Sequence, residues 1–71
     1  MKKKPITKSQ KAIYDWIKDY IDQNGISPSY HEIAAGASIS NVNAWRYVRL
    51  LCSAGWLEKE PRKKYSIRIS P

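Results

Sequence analysis

Apolar residues recur every three or four positions early in the chain: Ile13, Ile17, Tyr20 and Ile21. This spacing places them on one face of a helix. Upstream, Thr7 and Gln10 have the spacing of a capping box, in which each side chain satisfies a backbone N–H of the other residue. Downstream, Gly25 supplies the left-handed conformation that ends many helices. The pattern predicts a first helix over about residues 8–23.

A second start signal follows directly. Ser29 and Glu32 have capping-box spacing and predict a short helix from Tyr30 to about Ala35, which ends at Gly36. After a tight turn, Ser40 is positioned to cap a third helix. Two helices joined by a turn of about four residues are typical of a helix-turn-helix.

The third helix is predicted over about residues 41–54, with Gly55 at its end. At 100° per residue its core-facing stripe consists of Ala44, Val48 and Leu51. The opposite face consists of Val42, Arg46, Arg49 and Ser53. Trp45 lies at the boundary, about a quarter-turn from the core stripe. Its position alone leaves open whether the ring packs in the core or contacts a ligand.

The end of the chain changes to a period of two. Residues 56–60 and 65–69 predict two strands, and residues 61–64 (PRKK) predict a turn with three consecutive cations. Residues 26–27 are a candidate third strand. The predicted fold is α+β, a winged helix-turn-helix with three helices followed by a β-hairpin wing. It covers residues 6–70, after a basic flexible tail at residues 1–5.

The net charge favours a polyanionic partner. Thirteen Lys and Arg residues against six Asp and Glu give +7 and a pI near 9.8, which suits a nucleic acid or an anionic membrane surface. The single cysteine, Cys52, cannot form an internal disulfide and fits a reducing compartment. No apolar run has the length of a membrane span and the basic start lacks the apolar stretch of a secretory signal, so we expect a cytoplasmic protein without a membrane partner.

The outward face of the third helix suits base recognition. Arginine can pair with guanine edges or phosphate, amide side chains suit adenine, and a helix N-terminus enters a groove readily. The three wing cations occupy the place where wings meet the DNA backbone. The candidate DNA-binding residues are Ser40, Asn41, Val42, Asn43, Trp45, Arg46, Arg49, Arg62, Lys63 and Lys64. Lys2, Lys3 and Lys4 form a further basic segment, which either contacts nucleic acid or only keeps the protein soluble.

Catalytic chemistry is not indicated. Ser29, Ser38 and Ser40 fall in caps and turns and have no histidine–acid partner. His31 stands alone in a first helical turn, so no metal site is expected, and Cys52 flanks the core stripe as a small apolar residue. We expect neither an enzyme nor a bound cofactor.

A resemblance to a known family runs through the first half of the chain. The run ITKSQKAIYDWIKDYIDQNGISPSYHEIA resembles the N-terminal DNA-binding domain of the LexA repressors. The matching positions are Thr7, Gln10, Ile13, Tyr14, Ile17, Tyr20, Ile21, Gly25, Pro28, Ser29, Glu32, Ile33 and Ala34, followed more loosely by Ser40, Asn41, Leu51, Gly55, Leu57 and residues 66–69. The resemblance implies a winged helix that binds operator DNA in the major groove through Ser40–Asn43, Trp45 and Arg46.

The chain also departs from that family. The repressors have a second domain with a self-cleaving serine–lysine site and the dimer interface. The 71 residues contain no counterpart of this domain, so self-cleavage is not expected. Trp45 and Arg46 stand where the repressors tend to have acidic residues. The operator sequence therefore does not carry over from the family.

The leading interpretation is a sequence-specific regulator of transcription that binds double-stranded DNA, of the small kind common in phages and mobile elements. A monomer in solution that pairs on palindromic DNA is expected. The first alternative is a protein-interaction module, such as an anti-repressor or a polymerase-binding factor, with Tyr30, Trp45, Tyr47 and Trp56 as anchors. The second alternative is an architectural or recombination-directionality factor that binds DNA without controlling a promoter.

Overall fold

The computed structural model describes residues 3–71 and contains three helices and one antiparallel strand pair. The helices are α1 (Lys8–Asn24), α2 (Tyr30–Ala37) and α3 (Asn41–Ser53). The strands are β1 (Leu57–Glu58) and β2 (Arg68–Ile69), which pair Leu57 with Ile69 and Glu58 with Arg68. This order confirms the predicted winged helix-turn-helix. Met1 and Lys2 of the predicted flexible tail lie outside the described residues.

The caps of α1 follow the predicted chemistry. The Thr7 hydroxyl accepts the Gln10 N–H at 3.1 Å, and the Gln10 side-chain oxygen accepts the Thr7 N–H at 2.9 Å. At the other end Gly25 adopts φ 72° and donates its N–H to the Ile21 carbonyl at 2.8 Å. These bonds satisfy backbone groups that a helix end otherwise leaves unpaired. They explain why the helix begins and ends within one residue of the predicted bounds.

The start of α2 is also a capping box. The Ser29 hydroxyl accepts the Glu32 N–H, and Oε1 of Glu32 accepts the Ser29 N–H. The second carboxylate oxygen, Oε2, accepts the Tyr20 hydroxyl at 2.7 Å, which joins α2 to α1. The Tyr20 hydrogen bond and then the Ser29 backbone bond lower the pKa of Glu32. The same hydroxyl–carboxylate bond raises the pKa of Tyr20.

The predicted end of α2 at Gly36 is wrong. The helix continues through Gly36 to Ala37, and Ser38 supplies the left-handed residue with φ 57°. The reason is packing. A Cβ atom at position 36 would overlap the indole of Trp16 on α1. Gly36 therefore lies inside α2 and leaves room for Trp16, so that α1 and α2 can approach closely. It does not end the helix.

The predicted strands are too long. Residues 56–60 and 65–69 were expected to be extended, but only two residues of each segment pair. Arg62 and Tyr65 adopt φ 61° and 59°, which interrupts the ladder, and Tyr65 is exposed rather than on the face of Ile67. Residues 26–27 are not in a strand either. Instead the buried Ser27 hydroxyl accepts the Ile67 N–H at 3.0 Å.

One core joins all three helices to the strand pair. Its buried members are Ile13, Tyr14, Ile17, Ile33, Ala34, Ala44, Val48, Leu51, Leu57 and Ile67. Ala44, Val48 and Leu51 confirm the predicted inward stripe of α3, which ends at Ser53 with Ala54 as its cap. Trp56 packs edge-on against Tyr14 at 5.2 Å and donates its indole N–H to the Lys4 carbonyl.

Candidate nucleic-acid interface

The turn between α2 and α3 sets the orientation of α3. Both Ser38 and Ile39 donate their backbone N–H groups to the carbonyl of Ala34 near the end of α2. The Ile39 side chain is half-buried against the core, while the Ser40 hydroxyl accepts the Asn43 N–H at 3.1 Å. The turn therefore holds α3 against α2 through its inward stripe. The opposite face of α3 is left to solvent.

The outward face of α3 carries most of the predicted contact residues. Exposed side chains on this helix include Asn41, Val42, Asn43, Arg46 and Arg49. A helix with such a polar and cationic face fits the B-DNA major groove, which is about 12 Å wide. Ser40 differs from the other predicted contacts because its hydroxyl oxygen already accepts the capping bond.

Trp45 is more exposed than its boundary position on the helical wheel implied. Its side chain is 44% exposed, and the Arg49 guanidinium lies 5.0 Å from the ring centroid. This cation–π contact holds the arginine one turn away over the indole face. Trp45 is therefore a surface residue that also borders the wing.

The wing carries the three predicted cations on its tip. Arg62, Lys63 and Lys64 are all exposed, and the Lys63 ammonium lies 3.4 Å from the Glu60 carboxylate. The Lys64 ammonium lies 5.3 Å from the centroid of the Tyr65 ring. An exposed ion pair such as Lys63–Glu60 is worth little, so it leaves Lys63 available for another anion.

Lys59 organises the wing and was missed by the sequence analysis. Its ammonium donates to the carbonyls of Lys63 at 2.8 Å and Glu60 at 3.1 Å. The Ser66 hydroxyl donates to the same two carbonyls. The strand alternation that places Leu57 inward could have identified Lys59, because the two residues share one face of a strand.

A cleft connects the wing to α3. It encloses about 350 Å³ and is lined by Tyr30, Trp45, Lys59, Tyr65 and the three tip cations, among others. The Lys59 ammonium lies 5.6 Å from the Tyr30 centroid, and partial burial raises the pKa of the Tyr30 hydroxyl. The cleft thus brings the wing cations and the aromatic edge of α3 into one cationic surface. Tyr30 and Tyr65 were not predicted as members of this surface.

Three further observations concern metal binding, the cysteine and membrane insertion. Within residues 3–71 there is no group of three His, Cys, Asp or Glu side chains placed to hold a metal ion. Cys52 is half-buried, and burial raises the pKa of its thiol. In the same part of the chain, none of the helices combines the length and apolar character needed to span a bilayer.

The fold and this surface define the class of protein, a winged helix-turn-helix domain. Sequence comparison then gives the family: the model of the LexA DNA binding domain matches residues 3–64. The chain belongs to this family.

Individual relatives agree with this assignment. The LexA repressor of Thermosipho melanesiensis is 35% identical over 66 residues, which cover 93% of this chain and 33% of that protein. The LexA repressor of Syntrophobacter fumaroxidans is 31% identical over 68 residues, with the same two coverages. The chain thus spans about a third of the length of the curated relatives it matches.

Proposed function

We propose that the chain is a sequence-specific regulator of transcription that binds double-stranded DNA. The observation that carries the proposal is the junction of the outward face of α3 with the wing. Trp45 and Arg49 of α3 line a second cleft together with Lys59 and Arg62 of the wing. One duplex can therefore meet the recognition helix and the wing cations at the same time.

The roles within this surface follow from chemistry. Arg46 and Asn43 lie on the exposed face of α3 and read base edges, because guanidinium and amide groups match guanine and adenine. Arg62, Lys63 and Lys64 contact phosphates, which position the protein without specifying sequence. Family membership and the names of the relatives support duplex DNA as the partner.

The protein-interaction alternative is favoured by fewer observations. Of its four proposed anchors, Tyr30, Tyr47 and Trp56 are half-buried against the core, and Trp45 is the exposed one. An interface anchored on one exposed tryptophan beside several cations is less suited to a protein hot spot, where anchors cluster in a desolvated centre.

Selection from random duplexes tests the proposal. Bound duplexes are enriched over several rounds, sequenced, and titrated against a random duplex of equal length by mobility shift. A regulator should prefer its best site by about 10³-fold or more at physiological salt. We expect a palindromic site that binds two copies of a protein that is monomeric in solution. Equal affinity for selected and random duplexes would contradict the proposal and favour an architectural DNA binder.

A further inference from the structure

Val42 is an apolar side chain in a polar setting. It lies in the first turn of α3 and is 59% exposed. Its sequence neighbours Asn41 and Asn43 are also exposed, and Arg46 follows one helical turn later on the same face. A single exposed apolar residue is ordinary on a protein surface. Here, however, it sits among the side chains proposed to meet base edges.

The major groove offers a particular partner for such a side chain. Its floor presents hydrogen-bond donors and acceptors from every base pair, and the apolar group it presents is the C5-methyl of thymine. An apolar side chain that enters the groove gains apolar contact where it meets that methyl group, whereas elsewhere it displaces water from base edges that it cannot hydrogen-bond. The position of Val42 in the first turn brings it close to the groove floor, because N-terminal residues of a recognition helix contact the base edges.

Trp45 is placed differently. It lies one turn further along α3, and it borders the cleft shared with Lys59 and Tyr65 of the wing. Its ring is covered on one side by the Arg49 guanidinium. The indole therefore lies next to the wing cations that are proposed to contact phosphates, and away from the first turn of α3.

We infer that Val42 is a specificity-determining residue that reads the C5-methyl group of a thymine in the major groove. The inference rests on the proposed function and adds the chemical group that this part of the surface recognises.

Uracil substitution tests this directly. Each thymine of the selected duplex is replaced in turn by deoxyuridine, which keeps the base pair and removes only the methyl group. Wild-type protein should lose affinity about fourfold at one thymine of each half-site, the effect expected for one buried methyl group.

Two variants then assign the methyl contact to a residue. Val42→Ala removes both γ-methyl groups and should therefore reduce the affinity lost on uracil substitution at that position, as expected for two partners of one contact. Leu50→Ala is the matched control, because Leu50 is also apolar and 50% exposed on α3 but lies two turns further along. The Leu50→Ala variant should lose as much affinity on uracil substitution as the wild-type protein does. If Val42→Ala binds too weakly to titrate, Val42→Ser, which has no γ-methyl group, should reduce the affinity lost on uracil substitution.

The outcomes separate this inference from the proposed function. A protein that selects a site, yet tolerates uracil at every position, would overturn the methyl contact and leave the proposed function in place. The methyl contact of Val42 would also be overturned if Val42→Ala lost as much affinity on uracil substitution as the wild-type protein. If the protein binds all duplexes with equal affinity, the proposed function is contradicted, and this inference fails as well.

Discussion

Among single side chains, Trp45 distinguishes the two leading functions. It is 44% exposed, so Trp45→Ala should cost about 1 kcal/mol of folding stability or less, as for most surface changes. Affinity for the selected duplex should fall by roughly 1–2 kcal/mol if, as proposed, the indole buries apolar area against the DNA backbone. Thermal melting and a DNA titration on the same variant measure both quantities.

Trp56→Ala is the control for this variant. Trp56 packs on Tyr14 and bonds to the Lys4 carbonyl, so its loss should lower the melting temperature markedly. If the folded Trp45→Ala variant binds DNA with wild-type affinity, then the indole does not contact DNA. Combined with loss of a protein partner, that result would favour the interaction module.

Arg46 is predicted to read one base pair. It is exposed on the face of α3 opposite the core stripe, so Arg46→Ala should leave the fold intact. The change should cost about 1–3 kcal/mol on the selected site and relax selectivity at a single position. Repeating the selection with the variant measures both effects.

Arg68→Ala is the control for Arg46→Ala. Arg68 is also exposed but lies on β2, where its guanidinium is 3.6 Å from the Glu58 carboxylate. Its replacement should leave the preferred site unchanged. If Arg46→Ala weakens binding to all duplexes equally, Arg46 contacts phosphate and not a base.

Among the secondary-structure elements, the contact of α1 with α2 depends on Gly36. Glycine inside a helix ordinarily costs about 0.5–1 kcal/mol relative to alanine, so Gly36→Ala would be stabilising if the position were open. Because a Cβ atom there overlaps the Trp16 indole, the variant should instead lose roughly 1–3 kcal/mol. Chemical denaturation of both proteins measures whether Gly36→Ala raises or lowers the free energy of unfolding.

A second variant tests the cause. In a Trp16→Ala background the overlap is gone, so Gly36→Ala should become neutral or stabilising, and the two changes should be strongly non-additive. If Gly36→Ala destabilises both backgrounds equally, then Trp16 is not the reason that position 36 requires glycine.

The molecule as a whole carries a net charge of +7, so its affinity for DNA should depend steeply on salt. Replacing Arg62, Lys63 and Lys64 together by alanine should lower the slope of log K against log salt by up to about 3 units, if each contacts a phosphate. Titrations at several salt concentrations give the slope.

Lys18→Ala is the control for this measurement. It removes one positive charge from α1, an element that the proposal does not place against DNA, and should leave the slope unchanged. An unchanged slope in the wing variant would exclude the wing from the interface, whereas equal decreases in both variants would indicate a diffuse charge effect.

Local chain chemistry was sufficient to predict where the three helices begin and which residues form the inward stripe of α3. The capping signals at Thr7 and Ser29 act within one helical turn. The periodicity of Ala44, Val48 and Leu51 likewise depends only on residues of the same element. Such signals are complete in the sequence because both partners of each interaction lie a few positions apart.

The end of α2, the pairing near Ile67 and the exposure of Trp45 were decided by contacts between residues far apart in the chain. Gly36 stays helical because Trp16, twenty positions earlier, fills the space beside it. The Ile67 N–H is satisfied by the Ser27 hydroxyl from forty residues away rather than by a strand partner. Trp45 becomes a surface residue on the wing side only once α3 and the wing are packed against one core. Periodicity assigns a residue to a face of its own helix, but the exposure of that face depends on where the neighbouring elements pack.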